Sequence, residues 1–249
     1  MDRFERLYND SEVDKLILAQ NTNLTEEQID LLYTNRRLTK NYLASSSKLT
    51  KEQFMRFFND EDFDKDYLAM NLHLTEEQID LLYTHEDVGN DFLSYLASHP
   101  KLTEEQFMRF FNDDGMNNDY LAQNPYITEE QIDLLYQTEG VDKNDLANTA
   151  KLTDEQFMRF FNDKNVSKNY LSMNPHLKEE QIYLLLDGWS TEPTVVLNLA
   201  RYPKLTDELF ELFYNDQNKR LKRDGLAQNP SINPDSEQVF TKGIFNWRW

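Results

Sequence analysis

The chain has 249 residues, with 45 Asp and Glu against 26 Lys and Arg and no cysteine, and its formal net charge is −19. Such an acidic surface repels phosphate, which argues against direct binding to DNA, RNA or an anionic membrane and favours a partner with a basic surface. Without cysteine there are no disulfides, thiolate metal sites or cysteine nucleophiles, and a reducing cytoplasm suits the composition. No apolar run approaches the ~20 residues of a membrane span, and the N-terminal residues do not predict a secretion signal.

A six-residue motif, Leu-Thr-Glu-Glu-Gln-Ile or a close variant, recurs eight times along the chain. Its copies start 25 or 28 residues apart, at Leu24, Leu49, Leu74, Leu102, Ile127, Leu152, Leu177 and Leu205. A degenerate ninth copy begins at Ile232. Self-similarity at this period predicts an array of stacked repeats, in which each repeat buries its apolar face against its neighbours.

Each copy of the motif predicts the start of a helix. Thr25 is a favourable N-cap, and Gln28, three residues later, completes a capping box. The acidic residues between them lie in the first turn, where the helix dipole favours negative charge. Ile29, Leu32 and Tyr33 follow with the i, i+3, i+4 spacing of an apolar face. We therefore expect one helix of roughly ten residues per repeat, which is too short to be stable without stacking.

The other half of each repeat centres on a Leu-Ala pair. The pairs begin at Leu18, Leu43, Leu68, Leu96, Leu121, Leu146, Leu199 and Leu226, and at Leu171 the second residue is Ser172. Asn-Pro follows the pair at three places and ends the element, because proline makes the preceding residue extended. The pattern predicts one short α- or 3₁₀-helix per repeat, packed closely through the small alanine.

Two types of repeat alternate, so the true period is 50 to 53 residues. The Ile-type continues as Glu-Gln-Ile-Asp-Leu-Leu-Tyr and the Phe-type as Glu-Gln-Phe-Met-Arg-Phe-Phe-Asn-Asp. The alternation produces three columns of equivalent residues, which are Asp30, Asp80 and Asp133; Met55, Met108 and Met158; and Arg56, Arg109 and Arg159. We expect the arginines to pair with the aspartates of neighbouring repeats, the alternative being a grip on an acidic ligand. The methionines either fill space between helices or form a partner surface.

The order Leu-Ala-x-Asn-Pro-x-Leu/Ile-Thr-x-Glu-x-Ile/Phe, at a period of about 25 residues, resembles the leucine-rich repeat variant family. The resemblance implies an α-solenoid related to HEAT and armadillo arrays. The iron–sulfur cluster of the founding members is not implied, because this chain has no cysteine. We expect an all-α, right-handed superhelical solenoid of about nine two-helix repeats. Residues 1–216 would form the acidic array, of net charge −22, and residues 217–249 a degenerate last repeat and a basic, aromatic C-terminal cap, of net charge +3.

No arrangement of residues predicts catalysis or metal binding. The histidines are His73, His85, His99 and His176. None has the spacing of a metal site, and we interpret His73, His99 and His176 as solvated turn residues. Residues 112–119 resemble a calcium loop, but the glycine is out of register and we interpret the segment as a helix-exit loop. We therefore expect a non-enzymatic protein without a metal or cofactor.

Acidic first turns of stacked helices would form a continuous negative edge. The three tryptophans are hot-spot candidates, or cap residues where they lie near the C-terminus. The candidate partner-binding residues are Glu76, Glu77, Glu104, Glu105, Glu129, Glu130, Trp189, Trp247 and Trp249. We expect a protein–protein interaction module. The alternative is a nucleic-acid mimic that inhibits a basic DNA- or RNA-binding protein, such as a nuclease of bacterial defence, because ordered negative charge imitates a nucleic-acid backbone.

Overall fold

The computed structural model describes residues 3–21, 23–34, 37–85, 90–189, 192–215 and 224–232. Every regular element within these ranges is an α-helix, which confirms the prediction of an all-α fold. The chain divides into two compact units, Met1–Asn124 and Pro125–Trp249. Within the described ranges, no helix combines the length and the apolar character needed to cross a bilayer.

The helices of the first compact unit are short and follow one another closely. They are α1 (Arg3–Asn9), α2 (Lys15–Ala19), α3 (Glu26–Tyr33), α4 (Arg37–Ser46), α5 (Lys51–Phe58), α6 (Asp66–Ala69), α7 (Glu76–Tyr83), α8 (Asn90–Ala97), α9 (Glu104–Phe111) and α10 (Asp119–Ala122). Those of the second compact unit are α11 (Glu129–Gln137), α12 (Lys143–Thr149), α13 (Asp154–Asn162), α14 (Lys168–Leu171), α15 (Glu179–Trp189), α16 (Pro193–Ala200) and α17 (Asp207–Asn215). Residues 224–227 add a further helical turn.

The helices that start in the six-residue motif, here called motif helices, are α3, α5, α7, α9, α11, α13, α15 and α17. The first six begin directly after a threonine N-cap and have complete capping boxes, as predicted. In α3, Thr25 Oγ1 accepts from the N–H of Gln28 at 3.3 Å, and Gln28 Oε1 accepts from the N–H of Thr25 at 3.1 Å. In α15 and α17, whose sequences depart from the motif, one of the two capping-box hydrogen bonds remains. Lys178 keeps only the bond from its N–H to the glutamine, and Thr206 keeps only the bond to its hydroxyl.

The remaining repeat helices, here called Leu-Ala helices, differ in length in a way that the sequence interpretation missed. We expected a short helix in every repeat. Those before Ile-type motifs are short, with four or five residues in α2, α6, α10 and α14. Those before Phe-type motifs have seven to ten residues in α4, α8, α12 and α16.

The Asn-Asp ends of α5, α9 and α13 explain this alternation. After α5, Asp60 Oδ1 accepts from the N–H of Asp62 at 3.1 Å, and the Asp60 carbonyl accepts from the N–H of Phe63 at 3.1 Å. This turn occupies residues that belong to the longer Leu-Ala helix in the other repeat type, so the Leu-Ala helix that follows the turn is short. Asp113 and Asp163 form the same turn after α9 and α13. The predicted helix-exit loop at residues 112–119 is confirmed for residues 112–118, and Asp119 begins α10.

The Leu-Ala helices pack side by side in chain order within each compact unit. In the first unit the order is α2, α4, α6, α8 and α10, and in the second it is α12, α14 and α16. The Leu-Ala pairs within these helices are almost completely buried, except for the half-buried Leu18. The motif-helix residues equivalent to Ile29, Leu32, Phe54 and Phe57 are also buried, except for the half-buried Phe210. The small alanine allows neighbouring helices this close approach, and burying these side chains is what stabilises the short helices.

A column of buried asparagines links every second Leu-Ala segment, from α6 onward, to the one before it. Asn71 Nδ2 donates to the carbonyl oxygens of Ala44 and Ser47 at 2.6 and 2.9 Å. Its Oδ1 accepts from the N–H two residues on, that of His73, at 2.8 Å. The asparagines that make the equivalent pair of donations are Asn124, Asn174 and Asn229. All four are at most 2% exposed, so each satisfies backbone carbonyls that would otherwise lack a partner inside the protein.

Candidate partner-binding surfaces

The predicted glutamates lie where the motif placed them, in the first turns of motif helices. Glu76 and Glu77 begin α7, and the equivalent pairs begin α9 and α11. The full set, here called the first-turn carboxylates, is Glu26, Glu27, Glu52, Glu76, Glu77, Glu104, Glu105, Glu129, Glu130, Asp154, Glu155, Glu179, Glu180, Asp207 and Glu208. All are exposed except Glu179, which is half-buried. Because threonine and glutamine make the capping bonds, these carboxylates stand at the surface.

Contacts between neighbouring motif helices bring these first turns into a row within each compact unit. In the first unit, Gln106 of α9 donates to the Glu76 carbonyl at 2.8 Å. The backbone N–H of Glu77 and the Thr75 hydroxyl hold the pKa of the Glu77 carboxyl below its usual value, with a smaller contribution from Lys51 of α5. In the second unit, Gln156 of α13 donates to the Glu129 carbonyl at 2.9 Å.

The first turns of α11 and α13 also enclose a shallow cavity of about 200 Å³. Its lining includes Glu129, Glu130 and Asp133 from α11 and Glu155 and Arg159 from α13. Its charge is therefore mainly negative. Within the described residues, however, no group of three or more His, Asp and Glu side chains is arranged to hold a metal ion.

The predicted arginine–aspartate ladder is confirmed in three helix pairs, where a helix pair is an Ile-type motif helix with the next Phe-type motif helix. In α3 and α5, Arg56 forms a salt bridge with Asp30 at 2.7 Å. Gln53 donates to the same Asp30 carboxylate at 2.9 Å, and this bond is the main cause of the lowered pKa of Asp30. Arg109 with Asp80 and Arg159 with Asp133 repeat the contact. The arginines are therefore engaged inside the repeat array.

A tyrosine and a second aspartate complete each of these clusters. The Tyr33 hydroxyl donates to Asp60 at 2.9 Å, while Arg56 and Lys40 lie over its ring at 4.0 and 4.5 Å from the centroid. Tyr83 and Tyr136 donate equivalently to Asp113 and Asp163. The hydrogen bond from Tyr136 is the largest cause that lowers the pKa of Asp163 to about 2. Burial, followed by the bond to Asp163, raises the pKa of Tyr136 to about 12.

In the fourth helix pair, α15 and α17, four positions of the cluster have changed, while the second aspartate is kept in the sequence as Asp216, outside the described residues. Tyr183 replaces the aspartate, Leu186 the tyrosine, Leu209 the glutamine and Leu212 the arginine. Leu209 is fully buried, whereas Tyr183 and Leu212 are exposed. Polar partners that depend on one another have thus been replaced together by apolar residues.

A row of tyrosines on the Leu-Ala helices escaped the sequence interpretation. The residue directly before the Leu-Ala pair is Tyr42, Tyr67, Tyr95 and Tyr120 in the first compact unit, and Tyr170 in the second. Tyr42 and Tyr170 are 40% and 42% exposed, and the other three are half-buried. The recurring sequence Tyr-Leu-Ala is the signal that could have predicted the row. The prediction used only the Leu-Ala pair and not the tyrosine before it.

The interpretation of His99 as a solvated turn residue was wrong. His99 is 1% exposed, and its Nδ1 accepts from the N–H of Lys101 at 3.2 Å. Burial is the main cause that lowers its pKa to about 4. The physical reason is its position, three residues after the start of the Leu-Ala pair, which is where the other repeat type buries its asparagine. His73 and His176 are exposed, as predicted.

The other candidate residues have mixed outcomes. Met55 and Met108 are half-buried and Met158 is 39% exposed, so the methionine column lies at the edge of the core. The Trp189 side chain, Trp247 and Trp249 lie outside the described residues, as does most of the predicted cap at residues 217–249.

No family model, curated protein or solved structure matches this chain. The resemblance to the leucine-rich repeat variant family accordingly rests on the repeated residues alone.

Proposed function

We propose that this protein is a non-enzymatic α-solenoid that binds a partner protein with a basic surface. The proposed solenoid is a right-handed superhelix of about nine two-helix repeats. It is supported by the side-by-side packing of the Leu-Ala helices in each compact unit and by the recurring asparagine contacts. The cytoplasm is the proposed compartment, because a chain without cysteine suits a reducing environment.

The observation that carries the binding proposal is the exposure of the first-turn carboxylates. Fourteen of the fifteen are exposed, and they lie on adjacent helix starts in each compact unit. Negative charge is densest in the first unit, where residues 1–124 hold 25 Asp and Glu and 12 Lys and Arg, a net charge of −13. Such a field attracts basic surfaces and accelerates their association at low ionic strength.

Mimicry of a nucleic acid is a second candidate function, and the spacing of the carboxylates favours it. Neighbouring helices in a stack lie roughly 8–10 Å apart, so pairs of carboxylates recur at a regular interval along each row. A partner that normally binds DNA or RNA would accept this surface in place of phosphates. A basic nuclease of a bacterial defence system is a partner of this kind.

Capture from a cell lysate at low and at high salt tests the main proposal. Immobilised protein should retain a set of proteins enriched in high isoelectric points, and most of them should be released between about 0.1 and 0.5 M salt because exposed charge pairs are screened. Retention of neutral or acidic partners that resist salt would contradict the proposal.

Competition with DNA separates the two candidate functions. If the protein is a mimic, duplex DNA should displace the captured partner, and the protein should inhibit DNA binding or cleavage by that partner. A partner captured through a surface that does not bind nucleic acid should be indifferent to DNA.

A charge-matched pair of variants locates the effect on the surface. Replacing Glu76, Glu77, Glu104 and Glu105 by glutamine removes four first-turn charges from adjacent helices. The control is the set Glu12→Gln, Glu61→Gln, Asp62→Asn and Asp114→Asn, which removes four exposed charges elsewhere in the same unit. The first variant should lose capture and the control should retain it, if the row of helix starts is the attracting surface. Equal loss would indicate only a general charge effect.

A further inference from the structure

The four tyrosines of the first compact unit form a row of partly exposed rings on the Leu-Ala helices. Tyr42, Tyr67, Tyr95 and Tyr120 occupy one equivalent position on α4, α6, α8 and α10. These helices pack side by side in that order, so the four side chains lie on neighbouring helices of one layer. The Leu-Ala pairs beside them are at most 1% exposed, whereas the tyrosines remain partly exposed. Tyrosine at such positions supplies large contact area and a polar tip, and it is enriched at binding surfaces.

The clusters between motif helices show what a tyrosine beside a carboxylate binds in this protein. In the three polar helix pairs, an arginine lies over the tyrosine ring at 4.0 to 4.6 Å from its centroid. Lysines lie over two of these rings at 4.5 and 4.2 Å. In each cluster the tyrosine hydroxyl donates to an aspartate that adds negative charge beside the ring. A phenol ring with a neighbouring carboxylate is a good site for a guanidinium or ammonium group.

Carboxylates also lie in the same helices as two of these rings. Asp66 directly precedes Tyr67, Asp119 directly precedes Tyr120, and all four are half-buried. We propose that this row receives an extended segment of the partner that carries arginine or lysine side chains. The inference rests on the proposed function, whose binding surface it specifies. The net charge of −13 on residues 1–124 complements such a segment.

The geometry of the layer sets the spacing of the cations. Packed helices lie roughly 8–10 Å apart, and an extended chain advances about 3.3 Å per residue. One cationic side chain in every three residues therefore matches one tyrosine per helix. A fluorescently labelled twelve-residue peptide, (Arg-Gly-Ser) repeated four times, is the matching probe. The control peptide carries glutamate in place of each arginine.

Fluorescence anisotropy with the wild-type protein gives the first result. The arginine peptide should bind saturably at low salt, and the glutamate peptide should not bind. Absence of arginine-peptide binding, preference for the glutamate peptide, or a self-association of the chain that removing the tyrosines abolishes would each overturn the proposal.

Substitution of the tyrosines gives the second result. Tyr67→Ala with Tyr120→Ala should weaken peptide binding about tenfold, and Tyr67→Phe with Tyr120→Phe should retain it, because the rings remain. Tyr126→Ala is the matched control, since Tyr126 is 64% exposed and lies outside the row. If the double alanine variant does not fold, as judged by circular dichroism, Asp66→Asn with Asp119→Asn should still weaken binding about fivefold with the rings in place.

Two patterns separate this inference from the proposed function. Unchanged peptide binding in a folded double alanine variant would overturn the assignment of the row. Lysate capture of basic proteins by that same variant would nevertheless leave the proposed function intact. If the wild-type protein captures no basic protein from lysate, the proposed function itself fails.

Discussion

The first three helix pairs are joined by polar side chains, whereas the fourth has mainly apolar side chains at the equivalent positions. In the first three, an aspartate accepts from a glutamine and an arginine of the facing helix. The arginine also lies over a tyrosine ring. In the fourth, Tyr183, Leu186, Leu209 and Leu212 occupy those positions. Among these four pairs, these four residues are either all present or all replaced. This is expected, because a buried polar group that loses its partner costs more than an apolar replacement of the whole network.

The two kinds of pair nevertheless share the buried asparagine column. Asn71 and Asn124 belong to the region of polar clusters, and Asn229 follows the apolar pair with the same two donations to backbone carbonyls. The comparison therefore separates two functions of polar residues. The asparagines join alternate Leu-Ala segments in both regions, while the clusters are one of two ways to join motif helices.

Removing an asparagine should have the largest effect and should not distinguish the two regions. Asn124→Ala and Asn229→Ala each leave two buried carbonyls without a donor, and each should lower the free energy of unfolding by about 2–4 kcal/mol. Urea denaturation measures the loss, with the exposed Asn23→Ala as the control. A cost under about 0.5 kcal/mol at either site would contradict the shared function of the column.

Breaking one cluster by a single substitution should cost more than replacing it completely. Gln106→Leu alone removes the bonds to Asp80 and to the Glu76 carbonyl, and should cost about 2 kcal/mol. Replacing Asp80, Tyr83, Gln106 and Arg109 by the tyrosine and leucines of the fourth pair should cost under about 1 kcal/mol. Denaturant midpoints of the single and fourfold variants check this. A fourfold cost equal to the sum of the four single costs would show that the residues act independently.

Acid should weaken the polar pairs in a way that the fourth pair cannot share. The pKa of Asp163 is about 2 in the folded protein against 3.8 in its ordinary state. A depressed carboxyl pKa stabilises the fold above the ordinary value, and this contribution is lost as the pH falls from about 4 toward 2. Tyr136→Phe removes the largest cause of the shift, so its stability should fall by about 1 kcal/mol less between pH 5 and pH 2.5. The exposed Tyr126→Phe should follow the wild-type acid limb, and an unchanged limb in Tyr136→Phe would contradict the assignment.

The smallest effect concerns the arginines. The Arg56 and Asp30 side chains are 36% and 52% exposed, so solvent screens their salt bridge. Arg56→Met should cost under about 1 kcal/mol, and 1 M salt should reduce that cost. In the fourth pair, Leu212→Arg should give no stability alone and a small gain only together with Tyr183→Asp. A double-mutant cycle by chemical denaturation measures this coupling, and a gain from Leu212→Arg alone would contradict it.

Features encoded within one repeat were predictable from sequence, and those made between repeats mostly were not. A capping box involves two residues that are three apart in sequence, so Thr25 and Gln28 directly predicted the one in α3. The arginine–aspartate ladder was also predictable, because two alternating columns of opposite charge had to face each other. Asn71 and His99 act through contacts with backbone about 25 residues away, and a polar residue in a turn looks solvated until the neighbouring repeat is in place. The tyrosine row was missed for a related reason, since only the packed layer aligns its members.

The salt dependence of the association rate tests the central claim, that an acidic surface attracts a basic partner. The association rate constant of the captured partner should be measured by stopped-flow fluorescence from about 0.02 to 0.5 M salt, for the wild-type protein and for the variant with glutamine at positions 76, 77, 104 and 105. We expect the wild-type rate constant to fall more than about tenfold over this range, and to depend less steeply on salt in the variant. A rate constant that is independent of salt and identical in both proteins would show that the acidic surface does not attract the partner.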